Sequence, residues 1–136
     1  MSEFVKPQAV LPAGWPRPKG YANGVVAQGR MLFIAGMIGW DGDGRFHTDD
    51  FAGQVRQALQ NVVDVLAEAD AKPEHIVRMT WYVIDKKEYL AASKEVGQAY
   101  RDVIGRHFPA MTAVQVAGLI EDRARVEIEV TAIVPT

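Results

Sequence analysis

The sequence predicts a single α+β domain in which two helices cover one face of a mixed sheet, in the order β-β-α-β-α-β-β. Three observations predict it. The stretch Arg125-Val126-Glu127-Ile128-Glu129-Val130 alternates charged and apolar side chains with the period of a strand. After Asp50, Phe51, Val55, Leu59, Val62, Val63 and Leu66 recur at helical spacing. Ile76 to Ile84 is nearly continuous in apolar and β-prone residues, as expected of a strand covered on both faces.

Residues 1–20 hold four of the seven prolines, Pro7, Pro12, Pro16 and Pro18, with Trp15 among them. Proline fixes φ and removes a donor, so an extended, irregular segment is expected there, with the domain proper over 21–136. Gly24 to Gln28 and Met31 to Ile38, separated by Gln28-Gly29-Arg30, read as an antiparallel hairpin. In its second strand Met31, Phe33, Ala35 and Met37 should face one way, and Leu32, Ile34 and Ile38 the other. The glycine-rich stretch Gly39 to Arg45 reads as a tight turn. Its Asp41-Gly42-Asp43-Gly44 lacks the flanking helices and closing Glu of a calcium hand.

The first helix is expected from Asp50 to Ala69, with acidic residues at its positive end and Lys72-Pro73 as its stop. The strand Ile76 to Ile84 turns at Asp85-Lys86-Lys87. A second helix should run from Glu88 to Arg106, with Leu90, Val96, Tyr100 and Ile104 as its inner stripe and Gly105 and Pro109 as its close. Two strands then finish the chain, after Pro109 and from Arg125.

Each helix joins strands that would lie parallel, and such crossovers share one hand, so both helices land on the same face. Nothing remains to cover the other face. Yet it must carry bulky apolar groups from Met31/Phe33 or Leu32/Ile34, and from Met79/Trp81 or Thr80/Tyr82. An exposed apolar face of that extent predicts a homo-oligomer packed sheet to sheet, with Glu127 and Glu129 at a subunit boundary.

Composition excludes several classes. The net charge of −2 offers no pull toward nucleic acid or an anionic membrane. There is no cysteine, hence no disulfide, thiolate nucleophile or cysteine zinc site, in keeping with a reducing cytoplasm. No run of about 18 apolar residues exists. Met1 to Lys6 carries no readable signal peptide, so a cytoplasmic location is expected. His47, His75 and His107 lack partners at ligand spacing, so no metal is expected. Ser2 and Ser93 lack the context of a nucleophile elbow.

Phe108-Pro109-Ala110, Val114-Gln115-Val116-Ala117 and Val126-Glu127-Ile128-Glu129 resemble the C-terminal signature of the RidA/YjgF family. Met31 to Gly36 resembles that family's second strand, and the resemblance extends from about Tyr21 to Val134. It implies a chorismate-mutase-like fold and a homotrimer with sheets facing inward and small-molecule clefts between subunits. It also implies hydrolysis of reactive enamines and imines to ketoacids and ammonia, without metal or organic cofactor.

The resemblance places the catalytic carboxylate at Glu127 and substrate contacts at Tyr21, Gly36 and Met111; Trp40, beside the glycine loop, is a further candidate substrate contact, and Lys94, Glu129 and Arg125 are additional candidates. Departures from the pattern bear on function. The arginine that grips a substrate carboxylate directly after Phe-Pro-Ala is Met111 here, and a thioether supplies neither charge nor a bidentate fork. The serine before the glycine of the second strand is Ala35, and the helical asparagine falls at Lys94. Glu127 as an acid aiding water attack competes with Glu127 as a solvated strand residue paired with Arg125. Trp40 is either a lid over the cleft or an anchor on a neighbour. The function expected is a hydrolytic deaminase for a small enamine or imine with an apolar or aromatic portion near Met111. The alternative is a non-catalytic trimer that binds a small metabolite. RNA cleavage is disfavoured by the charge balance and the absence of a basic stripe.

Overall fold

The computed structural model describes residues 4–135; residues 1–3 of the N-terminal segment and residue 136 of the domain lie outside it. Six strands and three helices follow in order. They are β1 (Gln8–Val10), β2 (Gly24–Val26), β3 (Arg30–Ile38), α1 (Phe51–Glu68), β4 (Ile76–Val83), α2 (Lys86–Ala91), α3 (Ser93–Val103), β5 (Ala110–Gln115) and β6 (Val126–Val134). The main sheet has the order β3-β6-β4-β5. β6 runs antiparallel to both neighbours, and β4 and β5 are parallel. The chain's last strand thus lies inside the sheet, between the two strands that α1 connects.

α1 begins where Asp50 accepts the Gly53 N–H (2.9 Å), an N-cap that satisfies one of the orphan donors of the first turn. Its buried stripe is Phe51, Val55, Ala58, Leu59, Val62 and Leu66. It stops at Asp70, which adopts φ 57° while the Ala71 N–H returns to Leu66 O (2.8 Å). The stop therefore precedes Lys72-Pro73, and Pro73–His75 forms a separate short 3₁₀ turn. α1 and α3 lie side by side on one face of the sheet, over a core that includes Ile76, Met79, Val126, Ile128 and Val130. Each of these five is 0 or 1% exposed. No helix among the described residues is long and apolar enough to cross a membrane.

Three local expectations are corrected. The hairpin of Gly24–Gln28 with Met31–Ile38 does not form: β2 pairs instead with β1, in the register Gln8↔Val26. Pro7 and Pro12 bracket a short proline-free stretch whose N–H groups can pair, so part of the N-terminal segment is a strand. Gly29, at φ 131°, meanwhile packs on Ile133, where a Cβ would come within 2.7 Å of Cγ2.

The faces of β3 also exchange midway. Ile34 pairs with Val130 and Met37 with Ile128, so Ala35 and Gly36 bulge opposite one residue. Beyond the bulge Met37 joins the core side, and Ile38 moves to the side of Glu127, its register partner. Finally, the second helix is two. Asp85 caps it at Lys86, and Ala92 (φ −95°, ψ 13°) breaks it. Leu90 of the expected stripe is 65% exposed. Tyr89 turns inward in its place, its ring edge-on to Phe51 (6.1 Å) and Trp81 (6.4 Å).

The face opposite the helices stays open in the single chain. Phe33 (71% exposed) and Met31 (56%) stand on β3, and Val114 is exposed on β5. Thr80, Tyr82, Glu127 and Glu129 lie between them, fixed to this side by the pairs Tyr82↔Glu127 and Thr80↔Glu129.

Candidate functional site

The predicted site residues fall into two groups on opposite sides of the sheet. Met111 pairs with Met79 across the parallel β4–β5 ladder, so it shares the helix side, and it packs against the core. Glu127 pairs with Tyr82, one pleat out of phase, and so faces the open side. Within one chain these two side chains cannot meet.

On the helix side, Met111 and Tyr21 line a cavity of about 540 Å³ between the β5 edge and α3. Tyr21 is held there by the turn: the Ala22 N–H donates to Pro109 O (2.9 Å), joining residue 22 to the start of β5. Aromatic rings dominate the wall, with Trp81, Tyr89, Tyr100 and Phe108 added to Tyr21. Tyr100 and Phe108 stack at 5.6 Å and 11°. The Tyr100 hydroxyl donates to His107 O, and burial raises its pKa well above the usual phenol value. A helical face adds Ser93, Gly97 and Arg101, each four residues apart, at the border of the cavity. Lys94, one step round the helix from Ser93, is not among the cavity residues.

On the open side, the Glu127 side chain lies across Gly36. A Cβ on Gly36 would sit 2.6 Å from Glu127 Cδ and 2.7 Å from Oε2, so only glycine admits this conformation. The β3 bulge presents Gly36 there. Glu129 is engaged by the Tyr82 hydroxyl (3.1 Å), and that bond is the main reason the Tyr82 pKa is raised. Arg125 is committed elsewhere. Its guanidinium pairs with Glu88 at 3.2 Å, which leaves Glu127 without the partner its neighbour in sequence suggested.

Trp40 belongs to a separate groove with Phe46, Ile120 and Arg123. Its loop leaves β3 next to Ile38, the partner of Glu127, so it stands at the Glu127 end of the sheet. The loop is a tight turn organised by Asp41. Oδ1 accepts the Asp43 and Arg45 N–H groups (2.9 and 3.0 Å), and Oδ2 meets His47 Nε2 at 2.6 Å. The His47 contact first, then those two N–H groups, lowers the Asp41 pKa to about 2. Asn61 anchors the loop, donating to Ile38 O (3.0 Å) and Trp40 O (2.7 Å).

Gln54, Asn61, Gly97 and Arg101 escape the sequence reading. Gln54 is fully buried in α1 and ties down two loops, donating to Thr48 O (3.1 Å) and Arg123 O (3.0 Å) while accepting the Arg125 N–H (2.8 Å). The available signal was a polar residue on the apolar stripe of α1, one position before Val55. For α3 it was an interior glycine, unfavourable in a helix unless space is needed.

Fold and site together define a small α+β domain with a ligand-sized aromatic cavity on one side of its sheet and a glycine-seated carboxylate on the other. A family model described as endoribonuclease L-PSP matches residues 16–134. A RutC family protein of Aquifex aeolicus is 34% identical over 133 residues, covering 98% of this chain and 99% of its own. The human 2-iminobutanoate/2-iminopropanoate deaminase is 29% identical over 134 residues, covering 98% and 93%. Among solved structures, the Rid protein YyfB of Yersinia pestis superposes with a TM-score of 0.85 at 27% identity, over 96% of this chain and 100% of that one. E. coli TdcF with bound serine superposes at 0.67 and 26% identity, over 93% and 98%. The chain belongs to the RidA/YjgF family.

Proposed function

We propose that the protein is a hydrolytic deaminase of a small enamine or imine, working in clefts between the subunits of a homotrimer. The observation that carries this reading is the placement of Met111 and Glu127 on opposite sides of one sheet. A site that uses both needs the cavity wall of one copy against the carboxylate face of another. The exposed apolar face of Met31 and Phe33 offers the surface for such packing. The similarity to a human imine deaminase supports the chemistry.

In the reaction, water adds to the imine carbon, and its oxygen forms the new C–O bond as the C=N π electrons move to nitrogen. Glu127, as carboxylic acid, delivers a proton to that nitrogen and as carboxylate takes one from the adding water. Collapse of the carbinolamine expels ammonia and leaves the carbonyl. The seat on Gly36 fixes the carboxyl group for these transfers. Tyr21 and Met111 receive the apolar part of the substrate, since Met111 has no charge with which to hold a carboxylate. Neither a metal nor an organic cofactor takes part.

The test is ammonia release from enzyme-generated imines, with Glu127→Gln beside the wild type. Wild type should exceed the uncatalysed rate, and the variant should lose roughly 100-fold or more, the usual contribution of a positioned acid–base group. Rates equal to the uncatalysed reaction for both proteins overturn the deaminase reading. Saturable binding without turnover then favours a metabolite-binding trimer, the reading that the uncharged Met111 also motivates. Nucleic acid is not a partner in either reading: the net charge is −2.

A further inference from the structure

The cavity beside Met111 carries two cations, Arg101 and Lys19, and no carboxylate among its lining residues. No carboxylate lies within ion-pairing distance of Arg101 among the described residues, and its guanidinium donates only to the neutral Gln98 side chain (3.2 Å). It is folded back over Gly97, where an added Cβ would lie 3.4 Å from its terminal nitrogen. The guanidinium therefore lies alongside α3 at the cavity rim. One buried polar group of the wall residues is also unpaired. Trp81, in the cavity wall and 4% exposed, holds the one buried side-chain nitrogen or oxygen without a hydrogen-bond partner among the described residues, its Nε1.

We propose that Arg101 is the anion-binding, specificity-determining residue of this cavity, and that its ligand is an aromatic carboxylate. The carboxylate lies at the α3 rim against Arg101, and the ring lies among Tyr21, Phe108 and Met111. Arginine holds such a group through a planar fork, which an amide cannot match in charge. The charge missing at position 111 is thereby supplied from a helix, and Met111 is free to contact a ring. This rests on the cavity being the substrate side of the proposed cleft, but it needs no turnover.

The experiment is calorimetric titration of the full chain with phenylacetate, phenylacetamide and acetate. Phenylacetate should bind at one site per chain. Phenylacetamide, which lacks the charge, and acetate, which lacks the ring, should each bind at least about tenfold more weakly. Arg101→Gln, an exposed change that spares the core, should weaken phenylacetate by roughly 10- to 100-fold and leave phenylacetamide unchanged. Arg101→Lys should recover part of the loss. Equal binding of phenylacetate and phenylacetamide, unchanged binding by Arg101→Gln, or no binding of phenylacetate overturns the proposal. Arg101-dependent binding with no imine hydrolysis upholds it while the deaminase reading fails. Hydrolysis of aromatic imino acids at an unchanged rate in Arg101→Gln does the reverse.

Discussion

Glu127 rests on Gly36: the carboxyl carbon of one lies 2.6 Å from where a Cβ of the other would stand. The contact joins the outer pleat of β6 to the bulge in β3, and it sets where the carboxylate is presented. Gly36→Ala should push that carboxylate aside. The displaced atoms are the end of a flexible side chain, so the fold absorbs the change cheaply. Imine hydrolysis should fall by roughly 100-fold, as for Glu127→Gln, while the melting temperature stays within a few degrees. Steady-state kinetics beside a thermal melt checks this, and full activity in Gly36→Ala would show that the seat has no role.

Gln54 spends its side-chain amide on three backbone groups of two loops. Gln54→Leu keeps most of the volume and strands the Arg125 N–H in a partly buried place. The expected cost is about 2–3 kcal/mol, read as a lower urea midpoint with an unchanged slope. An unchanged midpoint would mean that water replaces all three bonds.

His75 is 7% exposed, and its Nδ1 accepts the Lys72 N–H (2.9 Å). Burial is the main cause that lowers its pKa from 6.5. The unfolded chain therefore takes up the proton more readily than the fold. Stability is complete above about the unfolded value and is lost as pH falls through the window from there down to the folded value. His75→Asn, which keeps an acceptor near Nδ1 but does not titrate, should flatten this part of the profile. Denaturant midpoints between neutral pH and mildly acid pH for both proteins provide the measurement. Parallel profiles would remove His75 from the account.

Phe33 is the most exposed large hydrophobic side chain of the main sheet, and it stands on the open face. If three copies pack through that face, Phe33→Glu places a charge in each seam and should give monomers in sedimentation at micromolar concentration. Activity should vanish with the assembly, because Glu127 and Met111 would no longer meet. A wild-type protein that sediments as a monomer, or a variant that remains a trimer, contradicts this packing.

Much of the architecture was legible because it is written in local periods. The alternation around Glu127 and Ile128 assigns the inner and outer faces of β6, and the spacing from Phe51 to Leu66 assigns the buried side of α1. Those patterns, with the order of the elements, determine by themselves the α+β class, the helix-covered face and the residues that resemble a known family. They fail where a residue's surroundings come from far along the chain. The bulge at Ala35-Gly36 reverses Met37 and Ile38 through pairing with a strand some ninety residues later. The break at Ala92 sends Leu90 out and Tyr89 in. The commitment of Arg125 to Glu88 rather than to Glu127 is likewise a long-range matter.

Only the tertiary structure decided that Met111 and Glu127 stand on opposite sides of the sheet, and that Arg101 folds over Gly97 beside the cavity. The physical reason is register. Periodicity fixes which residues of one strand share a side, but the side taken relative to another strand depends on the hydrogen-bond ladder between them.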